Sequence, residues 1–139
     1  MSTPPAPPAR PAEPATSGEG IRPLVLIVED EQPIAEALAY IIEEAGYTTL
    51  MAPHGRAGLA LALEHQPALI LSDLMMPQMG GRELIRQLHM ALDSAAPPVV
   101  LMTAADVRFA QDAGAVDVLQ KPFEITAVEV LLRRFLAPR

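Results

Sequence analysis

The sequence predicts an α/β fold, a doubly wound five-stranded parallel sheet with helices on both faces. Short apolar runs recur along the chain, and segments with helical spacing of apolar residues separate them. Apolar runs without polar alternation are typical of strands that are covered on both sides. Strands that alternate with helices in this way run parallel, and each helix forms part of a right-handed crossover between two strands.

The first strand and helix have the clearest pattern. Residues 24–28 form a continuous apolar run that leads into three acidic residues. Pro33 suits the first turn of a helix, and Leu38 and Ile41 keep the helical spacing of an inner face. Gly46 is a natural helix stop.

The second strand and helix have weaker patterns. Residues 47–52 are less apolar, as expected for a strand at the edge of a sheet. Residues 56–65 have helical spacing and place Leu59 and Leu63 on one face, whereas Leu61 lies off that face and is expected to be partly exposed.

The third strand, residues 69–72, runs directly into Asp73. An aspartate at this point either caps a turn or stands at the functional edge of the sheet. After the turn at residues 80–81, an amphipathic helix carries its apolar face on Leu84, Ile85, Leu88 and Leu92.

The last part of the chain completes the alternation. We expect a buried strand over 98–102, a short helical stretch over 105–113, a fifth strand over 116–119 and a final helix over 124–136. Residues 1–22 precede the domain of residues 23–139 and are predicted to be a disordered tail, because they are rich in proline and lack apolar periodicity. A proline-rich docking segment and a passive extension both remain open for this tail, and the passive extension is favoured.

Composition excludes several classes of function. The net charge of −7 argues against a surface that binds nucleic acid. The absence of cysteine excludes disulfides, thiol catalysis and cysteine-ligated metals, and it fits a reducing cytosol. No apolar run approaches the ~20 residues of a membrane span. We therefore expect a cytoplasmic domain without membrane insertion.

Polar side chains follow four of the five predicted strands. Glu29 and Asp30 follow the first, Asp73 the third and Thr103 the fourth, and Lys121, the single lysine of the chain, follows the fifth. The carboxyl ends of parallel strands share the edge at which such folds bind ligands. Clustered carboxylates repel one another unless a cation lies among them, and oxygen ligands suit Mg²⁺. A lysine and a hydroxyl can hold phosphoryl oxygens. The pattern therefore indicates phosphoryl transfer with a carboxylate nucleophile, against the alternative that the lysine merely neutralises the acids.

At these residues the sequence resembles the receiver domain of bacterial two-component response regulators. The resemblance covers about residues 23–137, and it implies the strand order 2-1-3-4-5. Four ordered segments carry it: Leu26-Ile27-Val28-Glu29-Asp30-Glu31, Leu71-Ser72-Asp73-Leu74-Met75-Met76-Pro77, Met102-Thr103-Ala104 and Lys121-Pro122-Phe123.

The resemblance implies a role for each site residue. Asp73 would accept a phosphoryl group from a partner sensor histidine kinase or phosphotransfer protein. Glu29, Asp30 and Asp73 would hold Mg²⁺, with the backbone carbonyl of Met75 as a further ligand.

The remaining implied roles concern the phosphoryl group. Lys121 would pair with Asp73 and then with this group. Thr103 would move to donate a hydrogen bond to it, aided by the Ala104 amide. The resemblance also implies a cis peptide bond before Pro122.

The chain departs from the family pattern in three ways. Val118 stands where the family usually has an aromatic residue that swings inward with the threonine. Thr103 and Lys121 are 18 residues apart, about four fewer than usual, which predicts a shortened fourth helix and an unusual output surface. Met75 and Ala105 replace polar residues that often orient an attacking water, so we expect slow to moderate self-dephosphorylation.

The resulting interpretation is a phosphoacceptor signalling domain that switches contacts with a downstream protein or with a second copy. It would not be an enzyme beyond assisting its own phosphorylation and dephosphorylation. The alternative is a receiver-like interaction or dimerisation module that works without phosphorylation. A phosphatase-type hydrolase ranks low, because such enzymes usually carry a second Asp where Met75 stands.

Overall fold

The computed structural model describes residues 22–136, apart from the side chains of residues 109, 111 and 112. The predicted tail, apart from Arg22, and the last three residues of the chain lie outside the described residues. The strands are β1 (Leu24–Val28), β2 (Thr48–Ala52), β3 (Leu69–Asp73), β4 (Val99–Thr103) and β5 (Asp117–Gln120). The α-helices are α1 (Gln32–Glu44), α2 (Gly55–His65), α3 (Gly81–Leu92) and α4 (Ile125–Leu136), and short 3-10 helices span Asp93–Ala95 and Val107–Ala113.

The five strands form one parallel sheet in the order β2-β1-β3-β4-β5. This order and the α/β class confirm the predicted fold. Successive side chains of β1 point to opposite faces, so Val25 and Ile27 belong to one core while Leu26 and Val28 belong to the other. The first core lies between the sheet and helices α1 and α4, and the second lies under α2 and α3. Because both faces are covered, β3 and β4 are buried along their whole length.

The fully buried residues of helix α2 are small, and its leucines Leu59 and Leu61 pack against the core only from partly exposed positions. Its buried residues are Gly55, Gly58 and Ala62, and Leu63 is 40% exposed. A Cβ atom added to Gly58 would lie 2.8 Å from a methyl group of Val28. The helix therefore lies too close to the sheet for a larger inner face, and the predicted inner position of Leu63 is wrong.

The segment between β4 and β5 is short, as the spacing of Thr103 and Lys121 predicts. A seven-residue 3-10 helix, Val107–Ala113, occupies the place of the fourth helix, and Gly114 ends it with a φ of 89°. A 3-10 helix of this length packs less surface against its neighbours than an α-helix of several turns.

Replacing Gly81 with alanine is expected to lower the free energy of unfolding by about 1–3 kcal/mol. An added Cβ atom would collide with Leu101 and lie 2.6 Å from the backbone carbonyl oxygen of Asp73. Helix propensity alone predicts the opposite sign, since alanine favours helices over glycine. Urea unfolding of Gly81→Ala measures the net effect. The control Ala60→Gly, on the exposed side of α2, reports propensity alone, and a stabilised Gly81→Ala variant would contradict the packing argument.

Candidate functional site

The structure brings the predicted polar residues together at the carboxyl edge of the sheet. Asp73 and Thr103 are the last residues of β3 and β4, and Glu29 and Asp30 follow β1 directly. Carboxylate oxygens of Glu29, Asp30 and Asp73 all lie within 4.8 Å of one another. The strand register explains this placement, because β1 and β3 are paired neighbours.

Lys121 connects two of these carboxylates from the far end of β5. Its Nζ atom lies 2.6 Å from Oδ1 of Asp73 and donates a 2.8 Å hydrogen bond to Oε1 of Glu29. The exposed fractions of the three side chains are 16% for Lys121, 7% for Asp73 and 0% for Glu29. Sequence reasoning predicted the contact with Asp73 and missed the one with Glu29, which no sequence signal marks.

The backbone also anchors the lysine. The amide of Lys121 donates a 2.8 Å hydrogen bond to the carbonyl of Thr103, which extends the pairing of β4 and β5 by one residue. The peptide bond between Lys121 and Pro122 is cis, as the resemblance implies.

The electrostatics of the site are dominated by crowded, buried acids. Burial, the hydrogen-bonded contact with Glu29 and the negative charge of Glu29 raise the pKa of Asp73 to about 7, although Lys121 acts in the opposite direction. Burial tends to lower the pKa of Lys121, but its contacts with Asp73 and Glu29 outweigh this effect and raise that pKa. The lysine therefore remains charged and compensates only part of the negative charge.

The loop after β3 is held by two close backbone approaches. The amide of Gly81 donates a 2.8 Å hydrogen bond to the carbonyl of Leu74. A Cβ atom on Gly55 would collide with the carbonyl oxygen of Met79, so the start of α2 lies against this loop. The Met75 side chain points away from the protein and is 78% exposed. A ligand role for the Met75 carbonyl stays a prediction.

Thr103 is buried, and its hydroxyl oxygen accepts a 3.0 Å hydrogen bond from the amide of Ala105. The sequence pointed to the amide of Ala104 as the neighbouring donor for the phosphoryl group, and that role stays a prediction. The carbonyl of Ala105 accepts a 3.3 Å hydrogen bond from the side chain of Gln120. The loop after β4 is thus connected to the residue that precedes Lys121, a contact that sequence reasoning missed. Val118 is half-buried and packs against the core under α2 and α3.

The donor set fits a hard divalent cation. Three carboxylates and one lysine leave a net negative cluster, and oxygen ligands of this kind are those that Mg²⁺ binds in proteins through a few carboxylates and several waters. A cation among these oxygens would also lower the pKa of Asp73, because it favours the charged form.

Within residues 22–136, no helix combines the length and the apolar character that a membrane span requires.

Comparisons with known proteins agree with this geometry. The family description "Response regulator receiver domain" matches residues 25–133. The DNA-binding dual master transcriptional regulator RpaA of Synechocystis is 37% identical over 120 residues, which cover 81% of this chain and 50% of RpaA. The transcriptional regulatory protein FixJ of Rhizobium meliloti is 36% identical over 113 residues, covering 79% of this chain and 55% of FixJ. The chain therefore spans about half the length of these curated relatives.

Solved structures show the same fold. The signal receiver domain of a signal transduction histidine kinase from Syntrophus aciditrophicus superposes with a TM-score of 0.76 at 34% identity, covering 83% of this chain and 90% of that one. The isolated FixJ-N structure superposes with a TM-score of 0.71 at 34% identity, covering 80% and 90%. The match of sequence, fold and acidic edge identifies the chain as a member of the response regulator receiver domain family of two-component systems.

Proposed function

We propose that this chain is the phosphoacceptor of a two-component phosphorelay and that Asp73 is the residue that is phosphorylated. The observation that carries the proposal is the contact of Lys121 Nζ with Asp73 Oδ1 at 2.6 Å, beside two further carboxylates. A structural lysine needs only to neutralise acids, whereas here three carboxylates face one lysine, and the excess negative charge favours a metal ion at the same place.

Mg²⁺ is the proposed cofactor, held by Glu29, Asp30 and Asp73 with the backbone carbonyl of Met75. When bound, it would neutralise negative charge between the nucleophile and the incoming phosphoryl group. The carboxylates of Glu29 and Asp73 are nearly or fully buried. Their fixed positions favour a site that is already organised before the cation arrives.

The proposed chemical step is an in-line transfer. An oxygen of the Asp73 carboxylate forms the new O–P bond while the N–P bond of a donor phosphohistidine breaks, and the electron pair of that bond stays on the imidazole nitrogen. Lys121 then exchanges its contact with the Asp73 carboxylate for one with a phosphoryl oxygen. The hydroxyl of Thr103 donates a second hydrogen bond to the same group.

The proposed output is a shift between two arrangements of the loop after β4. When Thr103 turns toward the phosphoryl group, its hydrogen bond with the Ala105 amide breaks, and the contact between Ala105 and Gln120 is disturbed. The partners would be a sensor histidine kinase or phosphotransfer protein and a downstream protein or second copy, in the cytoplasm. The chain would assist only its own phosphorylation and dephosphorylation and would not otherwise be an enzyme.

Intact-protein mass after incubation with Mg²⁺ and acetyl phosphate tests the proposal. We expect a single phosphoryl adduct on the wild-type chain and none after addition of EDTA or in Asp73→Asn. Asp93→Asn, which removes an exposed carboxylate outside the site, is the matched control and should keep the adduct. If Asp73→Asn carried the adduct as well, Asp73 would not be the acceptor.

The alternative, an interaction module that works without phosphorylation, is favoured by Val118 and by the 3-10 helix in place of the fourth helix. Amide chemical shifts recorded with Mg²⁺ and a phosphoryl mimic separate the two. Mg²⁺-dependent changes that spread from Thr103 to β5 support the phosphorelay, and their absence together with an absent adduct supports the module.

The same spectra test the expected unusual output surface. Changes confined to the last helix, β5 and the segment between β4 and β5 would contradict it.

We expect the self-dephosphorylation of Asp73 to be slow to moderate, with a lifetime of minutes or longer. Neither Met75 nor Ala105 offers a polar side-chain atom that could orient an attacking water. Introducing one, as in Met75→Asn, should shorten the lifetime, whereas Met75→Leu should leave it unchanged. Decay of the adduct followed by intact mass measures both. A wild-type lifetime of only seconds would show that another group orients the water.

A further inference from the structure

A groove runs along α3 on the side that faces the 3-10 helix Val107–Ala113. One part has a volume of about 470 Å³, and a second part of about 200 Å³ continues toward the amino end of β4. The two parts share Ile85 and His89, so they form one surface, here named the α3 groove. The first part is lined by Arg82, Ile85, Arg86, His89, Met90 and Ala113.

The short segment between β4 and β5 forms one border of the α3 groove. Among the side chains of the 3-10 helix that the structure describes, that of Ala113 lines this surface, and Gly114 follows it in the second part. Met90 is 68% exposed at one side of the groove, and Val116 is also exposed. Exposed apolar side chains grouped around a concavity are typical of a docking surface.

Two arginines line the first part of the groove, although the chain carries a net charge of −7. Arg86 pairs with Glu83 of its own helix. Among the described side chains, which do not include that of Asp112, Arg82 forms no ion pair. A ligand for this surface should therefore combine small apolar groups with a carboxylate near Arg82.

We propose that the occupant is the proline-rich N-terminal segment of the same chain, residues 1–21. This segment contains six prolines and four alanines, and Glu13 lies among them. Proline-rich sequences favour an extended polyproline-II conformation without internal hydrogen bonds, so they lose little conformational entropy on docking. Its apolar side chains match the floor of the groove, and Glu13 provides the carboxylate for Arg82.

The point of attachment favours docking within one chain. The described chain begins at Arg22, next to the amino end of β1, and the second part of the groove includes Pro97 and Pro98 at the amino end of β4. Only β3 lies between β1 and β4, so the lateral distance is about 10 Å. In polyproline II the nine residue steps from Arg22 to Glu13 span about 28 Å, and the whole segment spans about 65 Å. A tether of this length gives an effective concentration on the order of millimolar, so even weak contacts are populated.

Paramagnetic relaxation measured on the full chain tests the proposal. The chain has no cysteine, so a nitroxide on Ala12→Cys, or on Thr3→Cys in a second sample, is the only label. We expect selective loss of amide signals from α3 around Arg82 and His89 and from residues near Val116. The Met90→Glu variant should restore these signals, because it places a carboxylate in the groove. The matched control Val130→Glu, an exposed apolar position on α4, should not restore them.

A mixed sample identifies the occupant. Nitroxide-labelled chains without the isotope are combined with isotope-labelled chains that carry no nitroxide. We expect no signal loss in this mixture, because docking occurs within one chain. Loss in the mixture would overturn the proposal in favour of a second copy. Losses that are weak and uniform in the labelled chain, or that are centred on another face, would overturn the docking itself.

Discussion

The Lys121→Met variant is expected to be less stable than the wild-type protein by about 3–5 kcal/mol, in the absence of metal and at about pH 8. The variant leaves the carboxylates of Glu29 and Asp73 buried without their shared cation, and the nearest oxygens lie 2.6 and 2.8 Å from the missing Nζ. Methionine fills similar space, so packing contributes little to the loss. This loss of stability is limited, because removing the lysine raises the pKa of Asp73 further and the carboxyl group can then take up a proton.

Urea unfolding at several pH values measures this cost. It should shrink as the pH falls, since protonated carboxyl groups no longer repel each other, and Mg²⁺ should recover part of it at high pH. The matched control is Arg134→Met, which breaks the ion pair of Arg134 with Asp117, in which the arginine side chain is mostly exposed. Pairs of this kind contribute about 0–1 kcal/mol. Equal losses in both variants would show that Lys121 has no special electrostatic role.

The sequence predicts the sheet and the acidic edge well because both depend on local patterns. The continuous apolar runs that become β1, β3 and β4 are typical of strands covered on both faces. Parallel pairing then gathers Glu29, Asp73 and the residues that end or follow β4 and β5 at one edge. The short spacing between Thr103 and Lys121 likewise predicts a shortened helix between β4 and β5, where the structure has the 3-10 helix Val107–Ala113. The sheet and its acidic edge need chain order and periodicity only, whereas the shortened helix follows from comparison with the family that the sequence resembles.

Contacts between elements distant in sequence could not be predicted in the same way. Leu63 keeps the helical spacing of an inner face. Because Gly58 lies close to Val28, however, the face of α2 that contacts the sheet consists of small residues, and Leu63 lies outside it. The contact of Lys121 with Glu29 depends on how far β5 lies from β1 across two other strands. The bond between Gln120 and Ala105 depends on the conformation of a loop, for which the sequence has no periodic signal.

The Asp73→Asn variant is expected to be more stable than the metal-free wild-type protein by about 2–4 kcal/mol at about pH 8, and equally stable near pH 4. The native Asp73 carboxyl keeps its proton until its pKa of about 7, whereas the unfolded one loses it near 3.8. Between these values the native state binds more protons, so the contribution of Asp73 to stability falls as the pH rises. Asparagine resembles the neutral carboxyl group and avoids this loss. The difference between the two unfolding free energies, measured across the pH range, isolates Asp73 from the other titrating groups.

Mg²⁺ should stabilise the wild-type protein and have little effect on the variant, because binding to the native state alone adds to stability. A difference that stays constant with pH, or one that resembles the control Asp93→Asn, would mean that neither burial nor Glu29 raises the pKa of Asp73, and the electrostatic argument for a cation among these carboxylates would fail with it.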